Sequence, residues 1–389
     1  MDRIGERERP LPKFRLIRGV RDPQVVVHRD NWPMFQGFQA RRSEDGIAMR
    51  VGGDGPPLLL LHGYPQTHVM WHGVAPHLAH DFTVVVADLP GYGDSEPPQA
   101  ETDHTPHSKR AWAFRLVSAM AELGFEHFAV CGHDRGGRAA YRMALDHPTR
   151  VVRVAVLDIV PTAEMYDRAD RAFGFGYWHW FFLIQPAPFP ETLIGHNPDS
   201  FFEGSLMKMT KFDARALDAY RTAWRRPATV QAMCEDYRAG FGIDSDLDRA
   251  DRAAGRRITA PLLALWASRG VIGVWYDPLA LWRQWADDVS GGRSMPRTSL
   301  PKTVRMRWRT CSGTSLADHL WPRESVRLSS ADATHATVSA DTNNSALPRV
   351  QGRRRPPTRR GPAVPWAAIL RLTRANAALN TAVFKFAGF

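Results

Sequence analysis

The chain has 389 residues, three cysteines, 44% hydrophobic residues and a formal net charge of +11 at pH 7. That length suits one enzyme domain with an insertion and loose ends. Three distant cysteines without a C-x-x-C pair exclude a disulfide scaffold and a thiolate metal site, and imply reduced thiols in a cytoplasmic setting.

The first seven residues, Met1 to Arg7, are charged rather than apolar, which predicts no signal peptide. Residues 1–33 lack an apolar period and read as an N-terminal extension. Pro57 to Leu61 is a continuous apolar run, as a strand buried on both faces requires, and it ends in His62-Gly63-Tyr64-Pro65. Phe82 to Asp88 reads as a second buried strand and Ser108 to Leu123 as an amphipathic helix. Phe128 to Cys131 predicts a strand, Gly132-His133-Asp134-Arg135-Gly136-Gly137 a tight turn, and the residues from Arg138 to Leu145 a helix. Val151 to Ile159 is a further strand, with Asp158 at its end. Strands alternating with helices predict a mostly parallel sheet with helices on both faces and a site at the strands' carboxyl ends.

The glycine turn carries the chemistry. A strand, a G-x-nucleophile-x-G turn and a helix make a nucleophile elbow, in which small neighbours let the central side chain stand clear of the sheet. Here that side chain is Asp134. A carboxylate that attacks carbon forms an ester, which suits alkyl halides or epoxides better than peptides or lipids. The plainer alternative is an ordinary turn with a capping Asp. Arg135 and Arg138 follow, and arginine is the residue for bidentate capture of a carboxylate. Two solvated arginines at a helix start are the alternative reading.

The stretches LLLLHGYPQTHVMWH, VADLPGYGDS, GHDRGG, VLDIVP, YWHWFFLIQPAP and DPLALWR resemble the haloacetate (fluoroacetate) dehalogenases of the α/β-hydrolase superfamily, from about Phe35 to Val289. The resemblance implies an α/β-hydrolase fold: core at 34–160, an inserted helical cap at 161–258 and a return to the core at 259–290. It implies hydrolysis of a small haloacid without a cofactor or metal, and leaves homodimer formation open. By the same resemblance Asp134 is the nucleophile and Asp158 the acid that orients a catalytic histidine. Arg135 and Arg138 bind the substrate carboxylate, and the backbone N–H groups of Tyr64 and Arg135 form the oxyanion hole. His179 and Trp180 bind the leaving halide, with Tyr237 as a third donor. Without the resemblance, the aromatic run 173–182 reads as core packing. Epoxide hydrolases share the elbow but typically carry Trp where this chain has Arg135.

From about Gly291 the resemblance stops. Residues 291–389 hold 17 of the 51 Lys and Arg and only 4 acidic residues, so this tail carries +13 and the rest of the chain −2. It reads as a basic, disordered tail, able to bind nucleic acid or anionic lipid only nonspecifically. It lacks the pattern of a specific reader, and Ala367 to Phe389, interrupted by Arg371 and Arg374, is no membrane span. The histidine loop that the resemblance requires is missing. His319 and His335 are the tail's histidines, and neither sits in a matching context. Read out of frame, the codons for Arg297 to Cys311 permit a His-Phe loop, so the tail is expected to be a frameshift product. A noncatalytic relic or basic binding protein is the reading from another class.

Overall fold

The computed structural model describes residues 34–206, 212–268 and 270–293. An eight-stranded sheet organises them, in the order β1-β2-β4-β3-β5-β6-β7-β8. Strand β1 (Gln39–Arg42) pairs antiparallel with β2 (Ala48–Gly52), and β2 pairs antiparallel with β4 (Thr83–Ala87). All the other pairings, through β3 (Pro57–Leu61), β5 (Phe128–His133), β6 (Val151–Leu157), β7 (Leu262–Trp266) and β8 (Val289–Arg293), are parallel. This is the α/β-hydrolase architecture.

The apolar runs explain the centre of the sheet. Leu58 to Leu61, Val84 to Ala87 and Phe128 to Cys131 are all buried, so these strands lie wholly within the core. The short outer pair β1 and β2 eluded the sequence reading, because Gln-Ala-Arg-Arg and Ala-Met-Arg-Val-Gly have neither an apolar run nor clean alternation. Strand β8 is a correction to the expected end of the core at 290: it runs through Gly291 to Arg293. Val-Ser-Gly-Gly-Arg has little strand propensity, but a Cβ at Gly291 would lie 2.0 Å from the Ala264 carbonyl oxygen, so the close approach to β7 requires glycine.

The helices follow the strands. The short α1 (Ala75–Leu78) precedes β4; α2 (Lys109–Glu122) precedes β5 and is capped by Ser108, whose Oγ accepts from the Ala111 N–H at 3.2 Å. Helix α3 (Arg135–Asp146) packs against α2 and along β5 and β6.

Between β6 and β7 run α4 (Thr162–Asp167), α5 (Arg171–Gly176), α6 (His179–Leu183) and α7 (Phe189–His196). They are followed by α8 (Ala214–Trp224), α9 (Pro227–Ala239) and α10 (Ser245–Ala253). This inserted helical segment meets the core through buried ion pairs: Arg142 of α3 binds Asp248 at 2.7 Å and also Asp251, both on α10. The short α11 (Ile272–Trp275) and α12 (Pro278–Trp282) lead from β7 to β8. No helix of the described residues is long and apolar enough to cross a membrane. The expected extension 1–33 lies outside them, as does the tail beyond Arg293.

Candidate active site

At the end of β5 the backbone turns so sharply that Asp134 takes φ 46° and ψ −116°, a conformation costly for a residue with a Cβ. Its neighbours make the turn passable. A Cβ at Gly132 would lie 2.2 Å from the Gly136 carbonyl oxygen, and one at Gly136 would lie 2.3 Å from that of His62. The Gly136 N–H donates to His62 O at 2.9 Å, which ties the turn to the end of β3. Asp134 stands clear, and its Oδ2 accepts from the Tyr64 N–H at 3.0 Å. A backbone donor of the His62 to Pro65 turn thus faces the elbow carboxylate.

Arg135 and Arg138 are not solvated: they are 0% and 1% exposed. They are held in contrasting ways. Arg135 donates from Nε to Asp236 Oδ2 at 2.8 Å, and from Nη2 to Asp236 Oδ1 at 2.5 Å and to its carbonyl at 2.9 Å. Its Nη1 is buried without a partner among the described residues. The sequence pointed to bidentate capture of a substrate by this arginine, but that edge is already taken by Asp236, which lies 101 positions away. Burial alone would push the Asp236 carboxyl up; Arg135 and Lys109 outweigh it and hold it at about 2.

Arg138 donates from Nη1 to Val160 O at 3.2 Å and to Thr162 Oγ1 at 3.1 Å, and from Nη2 to Met165 Sδ at 2.8 Å. Its Nε has no partner among the described residues, and no ion pair reaches it there. A buried guanidinium without a counter-charge is costly, and an anion of the right size relieves that cost.

An aromatic wall closes over the arginines. The Arg135 guanidinium lies 4.2 Å from the Tyr237 ring centre and 5.7 Å from that of Trp180. Arg138 lies 4.7 Å from Trp180. His179 stacks on Tyr64 at 5.8 Å, and Tyr237 meets Tyr64, His179 and Trp180 edge-on at 5.1, 5.9 and 5.8 Å. Burial pushes the His179 imidazole down to about 4, against the pull of Asp134, so it is neutral at pH 7. Its Nδ1 is buried without a partner among the described residues.

Asp158 immediately follows β6 at φ 60°, and its Oδ1 accepts from the Ala267 N–H at 3.2 Å. Burial raises its carboxyl to about 6; the Ala267 hydrogen bond opposes this and the Asp134 charge adds to it. No histidine among the described residues is hydrogen-bonded or ion-paired to Asp158. His319 and His335 lie outside those residues. The structure therefore gathers Tyr64, Asp134, Arg135, Arg138, His179, Trp180 and Tyr237 around one spot. Sequence reasoning missed Asp236, Lys109 and Thr162. The signal for Asp236 was a carboxylate beside Tyr237; nothing in the sequence says which cation it meets.

The chain belongs to the α/β-hydrolase fold family, whose profile matches residues 56–291. It is similar to a fluoroacetate dehalogenase of Burkholderia sp, at 48% identity over 257 residues, covering 64% of this chain and 84% of that protein. A soluble epoxide hydrolase of Corynebacterium sp. (strain C12) is 29% identical over 249 residues, covering 62% and 83%. Among solved structures, ALR0039 from Nostoc sp PCC 7120 superposes with a TM-score of 0.65 at 48% identity, covering 67% of this chain and 91% of that one.

Proposed function

We propose that this chain carries out the hydrolytic dehalogenation of a small haloacid such as a haloacetate. The observation that carries the reading is Arg138: a buried cation with no carboxylate partner among the described residues, one helical turn from the elbow Asp134. A substrate carboxylate supplies the missing charge and sets the adjacent α-carbon before the nucleophile. An epoxide would leave Arg138 uncompensated, which disfavours the epoxide hydrolase reading despite the Corynebacterium relative. The similarity to the Burkholderia fluoroacetate dehalogenase supports the same choice.

In the first step an Asp134 carboxylate oxygen attacks the α-carbon as the carbon–halogen bond breaks, and the halide leaves with the bonding pair. Neutral His179, Trp180 and Tyr237 donate hydrogen bonds to the halide. The helical insertion acts as a cap that keeps water from competing for it. In the second step water attacks the carbonyl carbon of the ester, and the backbone N–H groups of Tyr64 and Arg135 take the oxyanion. The water's proton goes to a base, and collapse releases glycolate and restores Asp134. A histidine oriented by Asp158 is the expected base, and general-base help is worth about 10²–10⁴ in rate. No histidine of the described residues pairs with Asp158, so none of them fills that role.

The expected outcome with chloroacetate is therefore at most one halide released per chain and a glycolyl ester that stays on Asp134, seen by mass spectrometry and abolished by Asp134→Asn. Chloroacetamide, of similar size but neutral, reacts at least 100-fold more slowly. Sustained turnover would identify another base, His319 or His335 first, and equal reaction of acid and amide would remove the haloacid reading.

A further inference from the structure

The carboxylate that holds Arg135 is itself held from three sides. Asp236 Oδ2 accepts from Arg135 Nε at 2.8 Å and from the Tyr92 hydroxyl at 2.7 Å. Its Oδ1 meets Arg135 Nη2 and Lys109 Nζ, each at 2.5 Å. Lys109 is in turn fixed by Asp244: its Nζ binds Oδ2 at 2.9 Å and its backbone N–H donates to Oδ1 at 2.7 Å. All five residues are buried. The brace runs from α9 of the insertion to α3 at the elbow, to the loop after β4 and to the first turn of α2. On the remaining side is Gly240, where a Cβ would lie 3.0 Å from Arg135 Nη2. A guanidinium gripped along one edge and walled in has no freedom to turn.

Hydrogen counting then limits what Arg135 offers. Nε has one N–H, given to Asp236, and Nη2 has two, given to the Asp236 carboxylate and carbonyl. The two N–H bonds of Nη1 remain. On Arg138 the Nε N–H and one N–H of Nη2 remain, Nη1 being bound by Val160 and Thr162 and the other Nη2 hydrogen by Met165 Sδ.

We propose that Asp236 is the positioning residue of the carboxylate clamp. It fixes Arg135 so that only Nη1 faces substrate, and it cancels one of the clamp's two positive charges, leaving Arg138 to balance a single carboxylate. The inference rests on the haloacid reading above. It assigns one substrate oxygen to Arg135 Nη1 and the other to Arg138, and it selects monocarboxylates over neutral substrates and dicarboxylates.

The test uses the full chain and chloroacetate, with ester formation on Asp134 followed against time by mass spectrometry at several concentrations. Each protein gives a limiting rate, a half-saturating concentration and an amplitude. A merely structural loss lowers the amplitude, because fewer molecules are folded, and leaves the limiting rate of the folded ones alone. Loss of positioning lowers the limiting rate.

For Asp236→Asn the expected limiting rate is at least 30-fold lower, with half-saturation unchanged within threefold or tighter, since freeing the second positive charge attracts the anion while Arg135 loses its aim. Tyr92→Phe keeps the charges and the packing but removes one hydrogen bond to Asp236, and its limiting rate falls three- to tenfold. If Asp236→Asn does not fold, Tyr92→Phe decides: a reduced limiting rate supports the assignment and an unchanged one overturns it. Ester formation at the same limiting rate in both variants overturns the role of Asp236 alone. A folded, unmodified chain that forms no ester overturns the haloacid reading, and this inference with it.

Discussion

Arg135 and Arg138 lie one helical turn apart under the same aromatic wall, yet their energetics are opposed. Removing a buried cation leaves buried carboxylates short of one positive charge in one case and relieves an unbalanced charge in the other. Arg135→Met leaves Lys109 alone to balance two buried carboxylates, Asp236 and Asp244, and is expected to cost about 3–5 kcal/mol in urea unfolding. Arg138→Met has no carboxylate to strand among the described residues. It is expected to leave stability within about 1 kcal/mol of the parent or to raise it, while ester formation from chloroacetate drops at least 100-fold. Losses of stability of equal size in the two variants would show that Arg138 has a counter-charge. The sequence placed both arginines at the site, but it could not separate their roles, because the difference is made by a residue on another helix.

At the scale of the element, the elbow is a strand, a turn and a helix pressed closer than side chains allow. The Cβ of an alanine at 136 would meet the His62 carbonyl oxygen at 2.3 Å and the Leu61 carbonyl carbon at 2.7 Å, both backbone atoms that cannot swing aside. Gly136→Ala is therefore expected to destabilise by more than about 2 kcal/mol. Gly124, just past the end of α2, has φ +83° with nothing within 4 Å of its would-be Cβ. Gly124→Ala meets only backbone strain and is expected to cost about 1 kcal/mol. Denaturant unfolding of the two variants side by side checks the ranking, and a smaller loss at 136 than at 124 contradicts it. Of the strands, those with unbroken apolar runs were legible in the sequence. Strand β8 was not, since the tight approach of Gly291 to Ala264 selects glycine over any strand former.

Across the whole molecule, burial of neutral imidazoles sets the response to acid. Burial holds His62, His107 and His133 down at about 4. Between pH 6.5 and 4 the unfolded chain binds protons at these sites that the native chain refuses, so stability falls as pH falls through that window. At pH 5 each histidine costs about 2 kcal/mol. Asp158 acts in the other direction: with its carboxyl raised to about 6, the native state takes up a proton before the unfolded one does. That returns about 1 kcal/mol at pH 5. The net expectation is a steep loss of stability from pH 7 to pH 5, followed by thermal unfolding across buffers. A flat profile would mean that these histidines are protonated in the native state.

The sequence by itself determined the positions of the buried strands along the chain, the elbow and the choice of carboxylate over hydroxyl as its side chain. Those are local properties: an apolar run needs covering on both faces, and a glycine pair permits one kind of turn wherever it stands. The resemblance carried by the quoted motifs pointed to the aromatic residues of the site as well. Only the tertiary structure decided which charges meet. Asp236 and Arg135 are 101 positions apart, and Lys109 and Asp244 are 135 apart, so no spacing rule links them. Docking of the inserted helices against α2 and α3 brings these groups within hydrogen-bond distance. It pairs Arg135 with a carboxylate and leaves Arg138 with none among the described residues.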